Sequence, residues 1–133
     1  MSFLAKLNID DQEYNVLSFS FDVAQQIHHG SARPSGMPII NHLYIQIEST
    51  SNSGFFGWSI SAYEQKDGEI IFYKRDAMAS SRTLKFTGAF CINYNEAFES
   101  NSANPMVTSL VLAVESIDLD DSTYTNPAVE NNQ

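Results

Sequence analysis

The sequence has little cysteine, few cationic side chains and no long apolar run, and each shortage excludes a class of protein. Cys91 is the single cysteine in 133 residues, so no intrachain disulfide is possible. Seven lysines and arginines stand against sixteen acidic residues, and the net charge of −9 argues against nucleic acid or an anionic membrane as a partner. No run approaches the roughly 18 apolar residues of a membrane-spanning helix, so membrane insertion is not expected.

Residues that could carry chemistry are present but not in patterns that use them. No Gly-x-Ser-x-Gly element supports a Ser–His–Asp site, and His28, His29 and His42 match no metal-ligand spacing. Residues 118–122 lack the glycine and closing glutamate of a calcium loop. Cys91 lies in an apolar alternation with no basic neighbour. We therefore predict a protein that is not an enzyme, with no catalytic residue, metal or cofactor.

Strand-forming residues are plentiful instead. Hydrophobic residues make up 43% of the chain and aromatic residues 12%, which is enough for the packed core of one domain. An extra residue near position 17 shifts the alternation and predicts a β-bulge, and Gly88 predicts a bend. A second bulge is expected before Ile117. Alternating or strand-forming segments predict strands over 3–9, 14–23, 39–50, 69–75, 83–96 and 106–119.

One segment has the period of a helix. Phe56, Ile60 and Tyr63 follow i, i+4, i+7 spacing, and Phe55 and Trp58 widen the stripe. We therefore predict a single helix over about residues 54–65 with its aromatic side chains largely in the core. Trp58 could instead belong to a sugar-stacking platform, but the helical spacing favours packing. The prediction is a mainly β fold, a small barrel or sandwich with one flanking α-helix.

Two segments are expected to be irregular. Residues 28–38 contain two prolines and two glycines, which predict a long loop of the kind that often carries function. Residues 120–133 are polar and acidic and predict a flexible C-terminal tail, which leaves residues 1–119 as the single domain.

Several segments in order resemble one family. The most specific are Phe72–Ala79 and Asn104–Thr108, and the similarity covers roughly residues 3–119. On these residues the chain resembles the TssD proteins of Bacteroidetes, the Hcp-like tube subunits of type VI secretion systems. The segments that carry the resemblance are 3–10, 13–17, 33–35, 47–50, 66–79 and 104–110.

The resemblance implies a fold and a function. The fold would be a small Hcp-like β-barrel of two packed sheets with one helix. The function would be that of a structural subunit whose homohexameric rings stack into the inner tube, which sheath contraction propels to deliver effectors. Sheath, spike and effector proteins would be partners, with effectors possible in the ring lumen. The N-terminus lacks signal-peptide features, which fits a protein that is cytoplasmic before firing and then secreted without a signal peptide.

The resemblance also makes the loop at 28–38 the candidate for contacts between stacked rings. Family members usually carry Gly-Arg-Pro-Ser-Ser and then Val-Arg-Gly-Gly, whereas this chain has Ala-Arg-Pro-Ser-Gly at 32–36 and then Met-Pro-Ile-Ile. Individual contacts are therefore not transferred. Arg33 could pair with an acidic group of the next ring, or it could cap its own loop, and we favour the pairing. The candidate stacking residues are His28, His29, Gly30, Arg33, Pro34, Ser35 and Gly36.

A second reading remains open from the residues alone. A monomeric β-sandwich module that binds a carbohydrate or a protein ligand would have the same strand content. The two readings differ in solution mass, because the tube subunit forms a ring and the module does not.

Overall fold

The computed structural model describes residues 3–34, 36, 38–51, 53–75 and 79–126. Within them the chain is mostly strand, with one short helix. The elements are β1 (Phe3–Ile9), β2 (Gln12–Ala24), β3 (Ile39–Glu48), α1 (Phe55–Ser59), β4 (Lys66–Lys74), β5 (Ala79–Phe98), β6 (Met106–Ala113), β7 (Ser116–Leu119) and β8 (Ser122–Thr125).

Six antiparallel strands close into a barrel. Their order is β4-β1-β2-β3-β6-β5, and β5 pairs back with β4, so the sheet returns to its first strand. The β7–β8 hairpin extends the sheet from β5. The predicted mainly β fold with one helix and packed sheets is confirmed.

Strand β5 holds the two halves of the barrel together. Its first half pairs with β4 on one side and β7 on the other, and its second half pairs with β6. Between the halves, Gly88 has a φ of 63°, and a Cβ there would lie 2.5 Å from the Glu115 side chain. The positive φ departs from extended backbone, as expected at a bend, and any larger residue would require the Glu115 side chain to move.

The pairing of the other long strands agrees in part with the strands predicted from the sequence. A shift between Val16 and Ser18 confirms the bulge predicted near position 17. The strand expected over 106–119 is divided into β6 and β7, both antiparallel to β5. The break falls at Glu115, whose backbone N–H donates to the Thr87 carbonyl at 3.0 Å, opposite the bend at Gly88.

The helix is shorter than predicted, five residues rather than about twelve. Gly57 lies inside it, and no side chain caps its start, so little holds a longer helix together. Beyond its end, the Ser61 hydroxyl accepts hydrogen bonds from the backbone N–H groups of Tyr63 and Glu64, which turns the chain.

The predicted apolar stripe is only partly buried. Phe56, Ile60 and Tyr63 are 62–91% exposed, whereas Phe55 and Trp58 are buried. The Trp58 indole N–H donates to the Glu64 carbonyl at 3.0 Å inside the core, so a sugar-stacking role for this ring is excluded.

The core fills the inside of the barrel. Side chains of both halves of the barrel meet there with α1 over them, and Cys91 is buried among them as a small strand residue. The largest fully buried side chains are Trp58, Phe55, Phe86, Leu7, Leu43, Ile45, Ile47, Ile70, Leu84, Leu110 and Leu112.

The segment assigned to a tail contains structure. Ser122–Thr125 form β8, which pairs with β7, and the Tyr124 hydroxyl accepts a hydrogen bond from the Ile40 backbone N–H at 3.2 Å. Residues 127–133 lie outside the described part of the chain.

Candidate assembly surfaces

The loop between β2 and β3 continues the two strands away from the barrel. Ile27 and Pro34 form an antiparallel bridge, and the His28 N–H donates to the Arg33 carbonyl at 2.6 Å. Gly30 provides the turn with a φ of 84°, and residues 25–34 are all exposed. The loop is thus a small hairpin that projects into solvent. We call residues 25–36 the β2–β3 loop.

Most of the predicted stacking residues lie together in this hairpin. His28 and His29 adjoin at its base and turn, where the His28 Nδ1 is 3.3 Å from the His29 carbonyl oxygen. Arg33 and Pro34 form the returning side, and Gly36 is exposed beyond them. Ser35 lies outside the described residues.

The histidines do not converge. His42 lies on β3 rather than in the hairpin, and its ring meets Tyr44 edge-on at 6.2 Å. In the part of the chain that the structure describes, no group of three or more His, Cys, Asp or Glu side chains is placed to hold a metal ion.

A second exposed surface lies where the β5–β6 hairpin ends. Phe98 and Met106 are directly paired across the two strands and are 69% and 42% exposed. The Glu99 N–H donates to the Pro105 carbonyl at 2.7 Å and closes the turn between them. We call Glu96, Phe98, Glu99, Pro105 and Met106 the β5–β6 end.

Hydrogen bonds among polar side chains connect β5, β6 and the residue that follows β3 next to this surface. The Tyr94 hydroxyl donates to Glu96 Oε1 at 2.9 Å, and Thr108 donates to the other carboxylate oxygen at 3.5 Å. The Ser49 and Thr108 hydroxyls are 2.7 Å apart. Burial and the neighbouring Glu96 carboxylate raise the pKa of Tyr94, so this donor stays protonated at neutral pH.

A cation holds α1 to the first hairpin. Lys66 contacts Asp10 of the β1–β2 turn and lies 3.2 Å from Glu64, with its ammonium 5.6 Å from the centre of the Trp58 ring. Burial on its own lowers the pKa of Lys66, but its hydrogen bonds to Asp10 and Glu64 outweigh that effect, so the pKa is raised. Outside this contact, the α1 face carries exposed Phe56, whose ring lies 6.0 Å from that of Tyr94.

The thiol of Cys91, the single cysteine, is not activated as a nucleophile. Burial raises the pKa of the Cys91 thiol and outweighs the opposite effect of its hydrogen bond to the Asn93 backbone, so the thiolate form is disfavoured. A closed barrel with a projecting loop and exposed apolar side chains has the features of a structural subunit that contacts other protein.

The comparisons with known proteins agree with this class. The family profile "Hemolysin coregulated protein Hcp (TssD)" matches residues 1–127, and the chain belongs to this family. It is similar to Hcp1 from Flavobacterium johnsoniae at 34% identity, over 92% of this chain and 99% of that one, with a TM-score of 0.85. A comparison with curated proteins finds no match.

More distant structures share the fold. Hcp1 from Salmonella typhimurium is 13% identical over 96% of this chain and 97% of its own, with a TM-score of 0.76. The sheath/tube terminator of an extracellular contractile injection system, PVC, is 17% identical over 87% and 92%, with a TM-score of 0.60. The chain is a tube subunit of the type VI secretion class, and its family is a structural one whose members are secreted through that system.

Proposed function

We propose that this chain forms hexameric rings, and that the rings stack into the inner tube that sheath contraction drives out of the cell. The observation that carries the proposal is the projecting β2–β3 loop on a closed barrel of the Hcp family.

A closed ring requires two different patches on each subunit, because each copy meets its neighbours head to tail. The chain offers several exposed apolar positions outside the loop, among them Phe56, Ile60 and Tyr63 near α1 and Phe3 at the start of β1. Contiguous apolar side chains on a soluble acidic protein favour contact with other protein.

The β2–β3 loop serves the contact between successive rings. It extends past the last paired residues of the β2–β3 ladder, Ala24 and Ile39, so it reaches beyond the body of its own subunit. His28, His29, Gly30, Arg33, Pro34, Ser35 and Gly36 supply this contact, with Arg33 directed at a carboxylate of the next ring.

The partners and route follow from the same role. Sheath and spike proteins surround and cap the tube, and effectors travel with it, some of them within the ring lumen. The protein resides in the cytoplasm until firing and is then secreted through the type VI apparatus. No helix among the described residues is long and apolar enough to cross a membrane.

Negative-stain electron microscopy and light scattering of the purified full-length chain test the proposal. We expect rings with a central hole and the mass of six protomers. Deletion of residues 30–36 should leave the rings intact and abolish their stacking, because residues 30–34 and 36 are exposed and outside the core.

A control deletion belongs in the same experiment. Removal of residues 127–133 also takes away seven residues but leaves the β2–β3 loop, the β5–β6 end and every described strand in place, so stacked rings should still form. A monomer at every concentration would overturn the ring and return the chain to the binding-module reading. Normal stacks from the 30–36 deletion would overturn the loop's role.

A further inference from the structure

The β2–β3 loop and the β5–β6 end lie at opposite ends of the same strand. β3 leaves the loop at Ile39 and ends at Glu48, which pairs with Val107, one residue from Met106. Ten residues of strand span about 30 Å, so the two surfaces are separated by the height of the barrel. Neither surface of one molecule can reach the other, but copies stacked along β3 would bring them together.

The two surfaces have opposite charge. Residues 25–38 contain Arg33, His28 and His29 and no acidic residue. No lysine, arginine or histidine follows Lys85, and the β5–β6 end carries Glu96 and Glu99. Opposed potentials of this kind favour one docking register over others.

Apolar side chains are exposed on both surfaces. Ile27, at the base of the loop hairpin, is 67% exposed. Phe98 and Met106 form an exposed pair on the β5–β6 end, next to the acidic side chains. A contact that buries an apolar centre with charged groups around it has the anatomy of a specific protein interface.

We propose that the β5–β6 end is the receptor for the β2–β3 loop of a second copy of this chain in the adjacent ring. Ile27 packs against Phe98 and Met106, and Arg33 pairs with Glu99. The inference rests on the proposed stacking of rings and adds its acceptor surface.

Disulfide trapping in the full-length protein tests this contact. Ser31→Cys places a thiol at the loop turn, and Ala103→Cys places one in the exposed turn of the β5–β6 end. Two thiols link only where their Cβ atoms come within about 4.5 Å. Cys91 is buried and stays out of the reaction. We expect mild oxidation of the double variant to give, on a denaturing gel without reductant, a ladder that continues past six protomers.

The control pair combines Ser31→Cys with Ser122→Cys, which lies at the start of β8 and belongs to neither surface. It should give no ladder. If rings are present and the Ala103 pair gives no ladder, or one that stops at six protomers, the assigned acceptor is wrong. If light scattering finds no ring in the unmodified protein, the proposed function fails, and this inference fails with it.

Charge reversal adds a second arm. Arg33→Glu in the Ser31/Ala103 background should abolish the ladder, and adding Glu99→Lys should restore it. Asp121→Lys makes the same change of charge in the β7–β8 turn and should not restore it. Equal rescue by Asp121→Lys would show that net charge alone controls stacking and would overturn the pairing.

Discussion

At the scale of single residues, the barrel depends on one glycine in the middle of its longest strand. Gly88 combines a positive φ with a position at which a Cβ would lie 2.5 Å from the Glu115 side chain. Near this residue the partners of β5 change from β4 and β7 to β6. The requirement is therefore both conformational and steric.

Replacement of this glycine should be costly. We expect Gly88→Ala to lower the free energy of unfolding by about 2 kcal/mol, because the added Cβ meets a left-handed backbone penalty and crowds Glu115. Gly57→Ala is the matched control, since Gly57 lies in α1 with open space around it, and should be neutral or stabilising. Urea denaturation of both variants is the measurement. Equal stabilities would show that the strand bends without help from glycine.

The Lys66 ion pair gives a prediction with a pH dependence. The pKa of Lys66 is raised in the folded state by Asp10 and Glu64, so its contribution is present at neutral pH and lost as pH rises through that pKa. We expect Lys66→Met to be less stable than the native chain at pH 7 by about 1 kcal/mol, and the difference to shrink above about pH 10.

Urea titrations at pH 7 and pH 11 measure that difference. Lys85→Met, an exposed position on β5, is the control and should show a smaller effect at both values. A deficit in the Lys66 variant that stays constant with pH would mean that packing of the aliphatic stem, not the charge, holds α1 in place.

At the scale of elements, strands were predictable and the helix was not. Strand side chains alternate, and the β1 alternation ends with Leu7 and Ile9 buried, as the pattern requires. The 16–18 bulge was visible because one added residue shifts every later apolar position to the other face.

The helix prediction failed because apolar side chains at helical spacing can also lie on an exposed surface. Phe56, Ile60 and Tyr63 have helical spacing, but only the first lies within α1, and all three are exposed. Apolar residues retained for contact with another protein leave the same sequence pattern as residues retained for the core. Spacing alone could not separate these two cases. Burial of Phe55 and Trp58 depends on how α1 packs against β5, which the spacing does not show.

The candidate loop was predictable as a loop but not as a hairpin. Prolines and glycines at 28–38 marked irregular backbone. The Ile27–Pro34 bridge arises because β2 and β3 deliver the chain ends side by side, which depends on pairing between residues far apart. The acceptor at the β5–β6 end had no local signal, since Phe98 and Met106 become neighbours only through that hairpin's register.

At the scale of the whole molecule, the boundary of the folded unit lies beyond the predicted domain end at 119. β8 adds a strand to β7, and Tyr124 reaches the start of β3. Tyr124 also packs against the core as a partly buried side chain. The polar composition of the segment concealed a strand whose stability comes from its partner.

Truncation should locate this boundary. We expect a chain that ends at Asn126 to melt within about 1 °C of the full length, and a chain that ends at Asp121 to melt several degrees lower, because it loses β8 and the Tyr124 contact. Differential scanning calorimetry at matched protein concentration makes the comparison. A similar Tm for both truncated chains would show that β8 adds nothing to the barrel.

The closure of the sheet sets an order of events during synthesis. β1 and β2 are separated by a short turn and can pair as soon as both have been made. β3 can pair with β6 only after that later strand has been made, and the Gln46–Ser109 contact joins residues 63 positions apart. Until that strand emerges from the ribosome, the apolar faces of β2 and β3 have no complete cover. Barrels rich in distant pairings fold slowly. The subunit therefore completes its fold after nearly all of its chain has been made, and recruitment into any larger particle is a post-translational step.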